Sequence, residues 1–326
     1  MHYPKISIVT PSYNQGKYIE QTILSVLDQQ YPNLEYIIID GGSSDNSVEI
    51  IRKYESRISY WVSEKDDGQT DAINKGFEKC TGDIFNWINS DDYFEPDTFF
   101  KLSRYFTENP GMNVLCGKEW GFNNEHPDEK ILHPGSVVSS NIFETIRIGI
   151  VDQPCTFYRK VCIGNFFPLN KSLRYVMDKQ LWWSYLLKFG QGQIYCVNEV
   201  FTHFRLHPQS KSIGEQHLFE LEIDTLRLSL FNNLKAEPIL KMQIAEKVKP
   251  FDLVWQVAIR PQGLIIAAFA TYYAERFYIK DDIQNCKKMM QLVVKHKGWQ
   301  MNSKEWKLWS ASCLIPPVIL WRIKKL

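Results

Sequence analysis

Two adjacent carboxylates, Asp91 and Asp92, lie in the polar turn that follows a largely apolar run from Phe85 to Ile88, which has the pattern of a buried strand. Mn²⁺ or Mg²⁺ is commonly held through one or two carboxylates, while substrate phosphates complete the coordination shell. The pair therefore predicts a bound divalent cation whose second partner is a diphosphate. The alternative is that both residues only solvate the turn and cap the helix that Pro96 begins.

The same order of apolar strand, polar turn and helix occurs three times before this pair. The predicted strands are residues 5–10, 34–40 and 58–63, and the predicted helices are residues 18–30, 47–54 and 70–80. Strands that alternate with helices in this way indicate a parallel sheet with right-handed crossovers. In such sheets, ligands bind outside the carboxyl ends of the strands. The strand ends at Thr10, Asp40, Asp67 and Asp91 are therefore expected to line one crevice.

An ordered series of four motifs resembles the family-two glycosyltransferases of the GT-A fold. The motifs are Thr10-Pro11-Ser12-Tyr13-Asn14, Asp40-Gly41-Gly42-Ser43-Ser44-Asp45, Asp67-Gly68-Gln69-Thr70-Asp71-Ala72-Ile73-Asn74-Lys75-Gly76 and Asn89-Ser90-Asp91-Asp92. The resemblance covers roughly residues 4–210. It implies an α/β fold with a mostly parallel sheet flanked by helices, and a nucleotide-sugar donor.

The resemblance also implies roles for residues of the first three motifs. The first turn (Thr10, Pro11, Ser12, Tyr13 and Asn14) and Asp40 would hold the base and ribose of the donor, and Asp67, Gly68, Asp71 and Asn74 would line the same site. Asp40 can accept hydrogen bonds from a nucleobase or from ribose hydroxyls, although it can equally anchor the turn that follows it.

The fourth motif resembles the DxD element of the family, which binds the metal and the ribose. Asn89 stands where the family usually has Asp, and an amide brings no charge. Asn89 and Ser90 are therefore assigned to donor binding and the metal to Asp91 and Asp92; which of these two is the direct ligand is open. A dinucleotide-binding dehydrogenase is the competing α/β class, but no G-x-G-x-x-G follows the first strand.

A second acidic element lies at the start of a predicted helix, residues 173–183, with Asp178 in its first turn. Helix capping would explain a lone Asp here. The stretch is similar to the acidic element of the family's acceptor site, and by that resemblance Asp178 is the general base. Trp182 or Trp183 would offer a stacking face to the acceptor, and the other would lie in the core, because neighbours on a helix point in different directions.

Residues 201–212 alternate as a strand through Thr202, Phe204 and Leu206 and end in a polar cluster. The cluster is similar to the histidine-containing segment that closes the donor site of GT-A enzymes. His207 would then contact the metal or the diphosphate, with His203 as its substitute. Arg205 or Lys211 would offset phosphate charge.

Composition limits the function classes. The chain has 326 residues and a net charge of +1, which gives no support for nucleic-acid binding. Seven cysteines without a C-x-x-C pair fit a reducing compartment and argue against a disulfide framework or a structural zinc site. No signal peptide precedes the first predicted strand, so the expected location is the cytoplasm.

The pattern changes after residue 214. We expect a GT-A domain over residues 1–214, with a nucleotide-sugar half (1–95) and an acceptor half (96–214), and a helical region over residues 215–326. Its predicted helices are residues 215–232, 241–249 and 252–278. The tail from Lys295 is basic and rich in tryptophan, but its apolar runs fall short of the ~20 residues that span a bilayer. Either it binds the inner face of the cell membrane peripherally, or it packs on the catalytic domain or on a second subunit.

Together these features predict a metal-dependent, inverting glycosyltransferase that uses Mn²⁺ or Mg²⁺. It would move a sugar from a nucleoside diphosphate, with a UDP-sugar favoured, to a hydroxyl of a glycan or a lipid-linked acceptor in polysaccharide biosynthesis. The alternative is a non-catalytic nucleotide-sugar-binding homologue or interaction module.

Overall fold

A computed structural model describes residues 3–207, 210–246, 248, 251 and 253–314. Within them, one sheet contains the strands β1 (Ile6–Ser12), β2 (Leu34–Asp40), β3 (Tyr60–Ser63), β4 (Ile84–Trp87), β5 (Tyr93–Phe94), β6 (Val114–Asn123), β7 (His126–His133), β8 (Thr156–Arg159) and β9 (Ile194–Leu206). The helices are α1 (Ile19–Leu27), α2 (Ser47–Lys53), α3 (Gln69–Lys79), α4 (Thr98–Glu108), α5 (Ile142–Ile148), α6 (Lys160–Ile163), α7 (Met177–Phe189), α8 (Lys211–Gly214), α9 (Gln216–Asn233), α10 (Pro238–Ala245), α11 (Gly263–Ile279), α12 (Ile283–Lys297) and α13 (Ser303–Leu314).

The first four strands form the predicted parallel sheet, in the order β3-β2-β1-β4. β1 and β2 are almost entirely buried, as continuous apolar strands are when helices cover both faces of a parallel sheet. The register pairs Ser12 with Asp40 and Asp40 with Ser63. The carboxyl ends of these three strands therefore lie side by side, and the polar turns after them meet at one edge.

The second half of the sheet is mixed. β8 is antiparallel to both β4 and β6, and β9 runs parallel to β6 and antiparallel to the short β5. β9 begins at Ile194, earlier than the strand predicted from residue 201, and its pairing of His203 with Tyr93 brings its carboxyl end beside the Asp91-Asp92 turn. The last strand to join the sheet thus completes the edge that the first four strands begin.

A buried apolar cluster beneath this edge holds the strands and helices together. It includes Ile8, Ile23, Ile38, Leu102 and Phe157, each of which is fully or almost fully shielded from water. Complete burial of such a side chain contributes ~1.5–3 kcal/mol. The polar turns are therefore mounted on a rigid base.

The chain divides into two compact units. The first comprises residues 1–138, 150–185 and 189–220, and the second comprises residues 139–149, 186–188 and 221–326. The sheet and its polar edge belong to the first unit. The predicted domain boundary at residue 214 lies close to the change at residue 220, but the second unit also takes in α5 and a short piece of α7.

The second unit is helical. α9 and α10 match predicted helices approximately, whereas α11 begins at Gly263, eleven residues after the predicted start at residue 252. Pro261 explains the difference, because a proline disfavours helical backbone in the residue before it. In the part of the chain that the structure describes, no helix combines the length and the apolar character needed to cross a bilayer.

The described part of the basic tail packs within the second unit. α13 lies against α11 and α12. Glu305 is 1% exposed and accepts hydrogen bonds from Lys297 Nζ at 2.8 Å and from Thr271 Oγ1 at 3.0 Å. Trp299, by contrast, is 88% exposed. Residues 303–314 therefore form a docked helix. The predicted apolar run begins at Leu314, and its remaining residues, 315–321, lie outside the described part of the chain.

Candidate active site

The first two polar turns are hydrogen-bonded to each other. Asn14 N donates to Ser43 Oγ at 2.7 Å, and Asn14 Oδ1 accepts from Ser44 N at 2.9 Å. Gly16 N donates to Asp45 Oδ2 at 2.9 Å. Asn14 has a φ of 53°, a left-handed conformation that Asn tolerates better than most residues. The two turns thus form one preorganised wall of the crevice.

The first turn divides into buried and exposed residues. Thr10 is fully buried, with its hydroxyl 3.1 Å from Tyr36 Oη, and Pro11 is buried as well. Ser12 Oγ is buried and has no hydrogen-bond partner among the described residues. Tyr13 is 61% exposed, and Asn14 is exposed beside it. Of this predicted set, Ser12, Tyr13 and Asn14 have atoms or faces that a ligand can use.

Asp40 is committed to its own turn. Its carboxylate accepts from Gly42 N at 3.1 Å, from Ser43 N and Oγ at 2.8 and 2.5 Å, and from Ser63 Oγ at 2.7 Å. A carboxylate has about four acceptor positions. The structure thus realises the anchoring alternative, and contact between Asp40 and a nucleobase stays a prediction that requires one of these bonds to be exchanged.

In the third turn, Asp66 and not Asp67 faces inward. Asp66 Oδ1 accepts from Gly68 N at 2.8 Å, and a Cβ at Gly41 would lie 2.9 Å from Asp66 Oδ2, so only glycine permits this approach. Burial, together with the charges of Asp71 and Asp40, raises the pKa of Asp66 above its ordinary value. The side chain of Asp67 is 77% exposed. The sequence did contain a signal for the inward position of Asp66. An Asp side chain often accepts a hydrogen bond from the backbone two residues later, and here that residue is Gly68.

Asp71 and Asn74 point into the protein. Asp71 forms an ion pair with Lys171 Nζ at 2.6 Å. Asn74 donates to Leu169 O at 2.8 Å and accepts from Leu169 N at 2.7 Å. Both residues are 4% exposed, so they brace α3 against the segment before α7 and do not reach the crevice in this structure.

The end of β4 carries the expected acidic pair, and the two carboxylates differ in direction. Asp91 Oδ2 lies 3.0 Å from His207 Nε2. Asp92 is 1% exposed and accepts from Arg205 N at 2.9 Å and from Asn89 Nδ2 at 3.3 Å. Burial and the neighbouring Asp91 raise the pKa of Asp92 well above its ordinary value. Asp91, together with His207, therefore presents the ligand atoms, whereas Asp92 joins β4 to β9.

These residues suit a divalent cation. A carboxylate oxygen and an imidazole nitrogen belong to the donor set of Mn²⁺, and they converge at the sheet edge where a phosphate would complete the shell. The second ring nitrogen of His207, Nδ1, is buried without a hydrogen-bond partner among the described residues. Tyr18 packs against the imidazole, with ring centroids 4.8 Å apart, and fixes its plane.

Arg205 is a structural cation in this arrangement. It is 4% exposed, donates to Asp91 O at 2.7 Å and to Gln21 Oε1 at 2.6 Å, and also contacts Asn124 Oδ1. Because its Nε, Nη1 and Nη2 atoms each donate to a protein acceptor, Arg205 positions the Asp91 turn, and its contact with a phosphate stays a prediction. The other candidate, Lys211, is exposed and donates to Gln69 Oε1 at 2.9 Å.

The remaining polar residues of this edge connect the third and fourth turns. Asn89 Oδ1 accepts from Gln69 Nε2 at 2.7 Å, and Ser90 is buried behind it. Arg174, which the motif analysis passed over, is exposed, and its guanidinium would lie 3.1 Å from a Cβ at Gly68. Arg174 and Lys211 thus bring positive charge to the third turn, and Lys211 is linked through Gln69 and Asn89 to the turn of the acidic pair.

The predicted base lies at the start of α7. Asp178 is the second residue of the helix, where the helix dipole favours a negative charge, and its Oδ1 accepts from Lys179 N at 2.7 Å. Trp182 and Trp183 are both completely or almost completely buried. The prediction that Trp182 offers a ring face to the acceptor is therefore wrong, because α7 is covered on more than one side.

A second group of carboxylates lies on the acceptor side. Burial and the adjacent Glu119 raise the pKa of Asp152 to about 9, and Asp178 contributes to the same effect through its charge. Sequence analysis passed over Glu119, because it lies within a strand and in no motif.

His203, the proposed substitute for His207, instead pairs with Glu95 and stacks on Tyr93 with ring centroids 4.3 Å apart.

Known proteins share this sequence pattern. The family model "Glycosyl transferase family 2" matches residues 7–174. TuaG of Bacillus subtilis (strain 168), a glycosyltransferase provisionally assigned to teichuronic acid biosynthesis, is 31% identical over 211 residues, which are 62% of this chain and 79% of TuaG. In further curated relatives, the match covers 35% to 65% of the relative's own length.

Known structures share the fold. A crystal structure of S. aureus TarS residues 1–349 in complex with UDP has a TM-score of 0.59 and 16% sequence identity, covering 94% of this chain and 90% of that chain. A mannosyltransferase from Pyrobaculum calidifontis, in complex with GDP-Man and Mn²⁺, has a TM-score of 0.52 and 13% identity, covering 99% of this chain and 84% of that chain. The predicted GT-A fold is confirmed. Taken with the family match over residues 7–174 and the similarity to TuaG, these likenesses lead to one assignment: the chain belongs to glycosyl transferase family 2.

Proposed function

We propose that this glycosyltransferase is a metal-dependent, inverting enzyme that transfers a sugar from a nucleoside diphosphate to a hydroxyl of its acceptor. The observation that carries the proposal is the pairing of Asp91 with His207 at 3.0 Å, with the His207 ring packed on Tyr18, which follows the first turn. A metal-binding pair next to a preorganised polar wall is what a nucleoside diphosphate requires, because the diphosphate needs a cation and the nucleoside needs a shaped polar surface.

The donor is proposed to be a UDP-sugar. Tyr13 and Asn14, together with the unpaired Ser12 hydroxyl, offer an exposed ring and polar groups for the nucleoside. Asp66 adds an inward carboxyl group in place of Asp67. The complexes of TarS with UDP and with UDP-GlcNAc support this choice of nucleotide.

Asp91 and His207 would hold the divalent cation, with Asp92 supporting them from behind. When bound, such an ion offsets the negative charge that builds on the leaving diphosphate. Arg174 and Lys211 contribute positive charge from the protein itself, since both lie at the crevice and their cationic groups carry hydrogen-bond donors. The Mn²⁺ complex of the Pyrobaculum mannosyltransferase supports the choice of metal.

Asp178 is proposed as the general base that accepts the proton of the acceptor hydroxyl. One direct displacement by that hydroxyl, on the face of the sugar opposite the diphosphate, inverts the anomeric centre. Proton acceptance by a positioned carboxylate typically contributes ~10²–10⁴-fold to the rate.

The acceptor is proposed to be a glycan or a lipid-linked saccharide in the synthesis of a surface polysaccharide. The assignment of TuaG to teichuronic acid biosynthesis supports this class. The basic tail would suit peripheral contact with the inner face of the cell membrane, or else contact with a second copy of the chain. An enzyme acting on such carriers would work in the cytoplasm.

The test is a panel of UDP- and GDP-sugars added to the full chain with Mn²⁺, read by thermal shift and by sugar transfer or hydrolysis. A bound donor raises the unfolding temperature by mass action. We expect a UDP-sugar to do so, and EDTA or Asp91→Asn to abolish the shift. Asp28→Asn is the matched control. Asp28 follows the last residue of α1, its side chain is 60% exposed, and it belongs to none of the four polar turns.

Three outcomes separate the alternatives. Binding with turnover supports the proposed enzyme, and binding without any turnover across the panel supports a non-catalytic binding module. Full binding and activity in EDTA would refute the metal requirement.

A further inference from the structure

Three side chains of the first unit meet in a group that the proposed reaction does not use. Glu119 of β6, His133 at the end of β7 and Asp152 of the loop before β8 each offer one ligand atom, and all three atoms lie within 4.8 Å of one another. Glu119 and His133 face each other across the β6–β7 ladder, with Glu119 Oε1 3.2 Å from His133 Nδ1. Asp152 is fixed by a hydrogen bond from its backbone N to Ser136 Oγ at 2.8 Å.

The group places two carboxylates against one imidazole. Glu119 is 2% exposed, and its Oε2 is buried without a hydrogen-bond donor among the described residues. Asp152 presents a second carboxylate to the same space, and each carboxylate also interacts with a further acid, Glu119 with Asp92 and Asp152 with Asp178. Two carboxylate oxygens within 4.8 Å of each other repel, and a shared proton or a metal ion between them relieves that repulsion.

We propose that Glu119, His133 and Asp152 bind a divalent transition-metal ion, of which Zn²⁺ is the best match. Two carboxylates and one imidazole are a known ligand set for zinc, and three protein ligands leave one position for water. The imidazole argues against Mg²⁺ and Ca²⁺, which prefer an all-oxygen shell. Gly121 supports the arrangement, because a Cβ there would lie 2.9 Å from His133 Nε2.

This site shares no ligand with the one formed by Asp91 and His207, and it does not depend on the proposed function. The proposed donor-site metal needs a diphosphate to complete its shell, whereas the Glu119–His133–Asp152 site supplies three ligands from the protein. It should therefore fill when no nucleotide is present.

The test uses the full chain, freed of metal with a chelator and titrated with Zn²⁺ in the absence of nucleotide. Bound metal is counted by elemental analysis after gel filtration. Wild-type protein and Asp91→Asn should each retain one ion per chain. His133→Gln and Asp152→Asn should each weaken Zn²⁺ binding by more than ~100-fold, because loss of an outer-shell partner alone costs ~10–100-fold.

His133→Gln is the main variant, since His133 lies at the edge of the sheet with its side chain 36% exposed and can be replaced without opening the core. An unchanged thermal midpoint in chelator would show that this variant folds. Zn²⁺ that remains bound to His133→Gln would belong to other groups, such as the exposed Cys196, and would overturn the proposal. Wild-type protein that binds no Zn²⁺ in the absence of nucleotide would also contradict the proposal.

Discussion

Replacement of Arg205 tests whether this residue positions the site or contacts the donor. Its guanidinium donates to Asp91 O at 2.7 Å and to Gln21 Oε1 at 2.6 Å, and it also contacts Asn124. The backbone carbonyl of Asp91 is thereby tied to β9. We predict that replacing Arg205 lowers stability first and affects nucleotide binding through the position of Asp91.

The size of the effect follows from the acceptors left behind. Gln21 and Asn124 are exposed and can turn to water, so the main cost falls on the part-buried carbonyl of Asp91. Such an unpaired acceptor costs ~1–3 kcal/mol. Arg205 also lies 4.8 Å from the ring centre of Tyr18 and 4.7 Å from that of Phe122, and each contact contributes ~0.5–1 kcal/mol. Arg205→Met should therefore lose about 2–5 kcal/mol, and Arg205→Lys about half, because an ammonium can keep one hydrogen bond.

The assay is urea unfolding followed by circular dichroism, with UDP binding measured by calorimetry on the same preparations. Both variants should unfold at lower urea than wild type. Arg104→Met is the matched control, because Arg104 is exposed and lies 5.3 Å from the ring centre of Tyr105, so its loss should change little. If Arg205→Lys unfolds like wild type but loses UDP affinity, the guanidinium contacts the donor and our reasoning is refuted.

Three further predictions follow from other side chains. Asp178→Asn should melt near wild type and bind donor normally, because Asn caps a helix about as well as Asp, while sugar transfer falls by ~10²–10⁴-fold; undiminished transfer would move the base elsewhere. The folded-state pKa of Asp152, about 9, lies far above its ordinary 3.8, so the folded protein binds the extra proton and stability is lost as pH rises through this range. In chelator, the free energy of unfolding should fall by roughly 1 kcal/mol per pH unit between pH 5 and 8 because of this group, and equal slopes for wild type and Asp152→Asn would contradict the assignment. Glu305→Ala should lower the unfolding temperature of the second unit, since it leaves Lys297 and Thr271 without their buried partner, and an unchanged temperature would show that these buried contacts contribute nothing.

Local patterns were sufficient to predict the first half of the fold. β2 was predicted at its observed bounds, because a continuous apolar run ended by Asp40 and two glycines marks a buried parallel strand and its turn. The convergence of the first four strand ends followed from topology alone. His207 was predicted to lie near the acidic pair only through the family resemblance, since nothing in its own segment indicates a partner 116 residues away.

The misses share a physical cause. The inward position of Asp66, the complete burial of Trp182 and the grouping of Glu119 with His133 and Asp152 depend on tertiary contacts that one-dimensional patterns do not encode. Trp182 is an example. Apolar residues occur on several faces of α7, because the helix is covered on more than one side, so the sequence does not show which of them are buried. Arg205 was assigned to phosphate because its charge is visible in the sequence, whereas its acceptors are not.

The pairing of Asp91 with His207 also has a consequence for synthesis of the chain. A ribosome adds ~5–20 residues per second, so roughly 6–23 s separate the synthesis of the two partners, which lie 116 positions apart. During the first part of that interval, before residues 156–159 are made, β4 lacks β8 beside it and has an unpaired edge that can attract other strands. A nascent chain that stalls before β8 would therefore be vulnerable to aggregation at β4, whereas one that stalls between β8 and β9 would have this edge covered but would lack His207, the partner of Asp91.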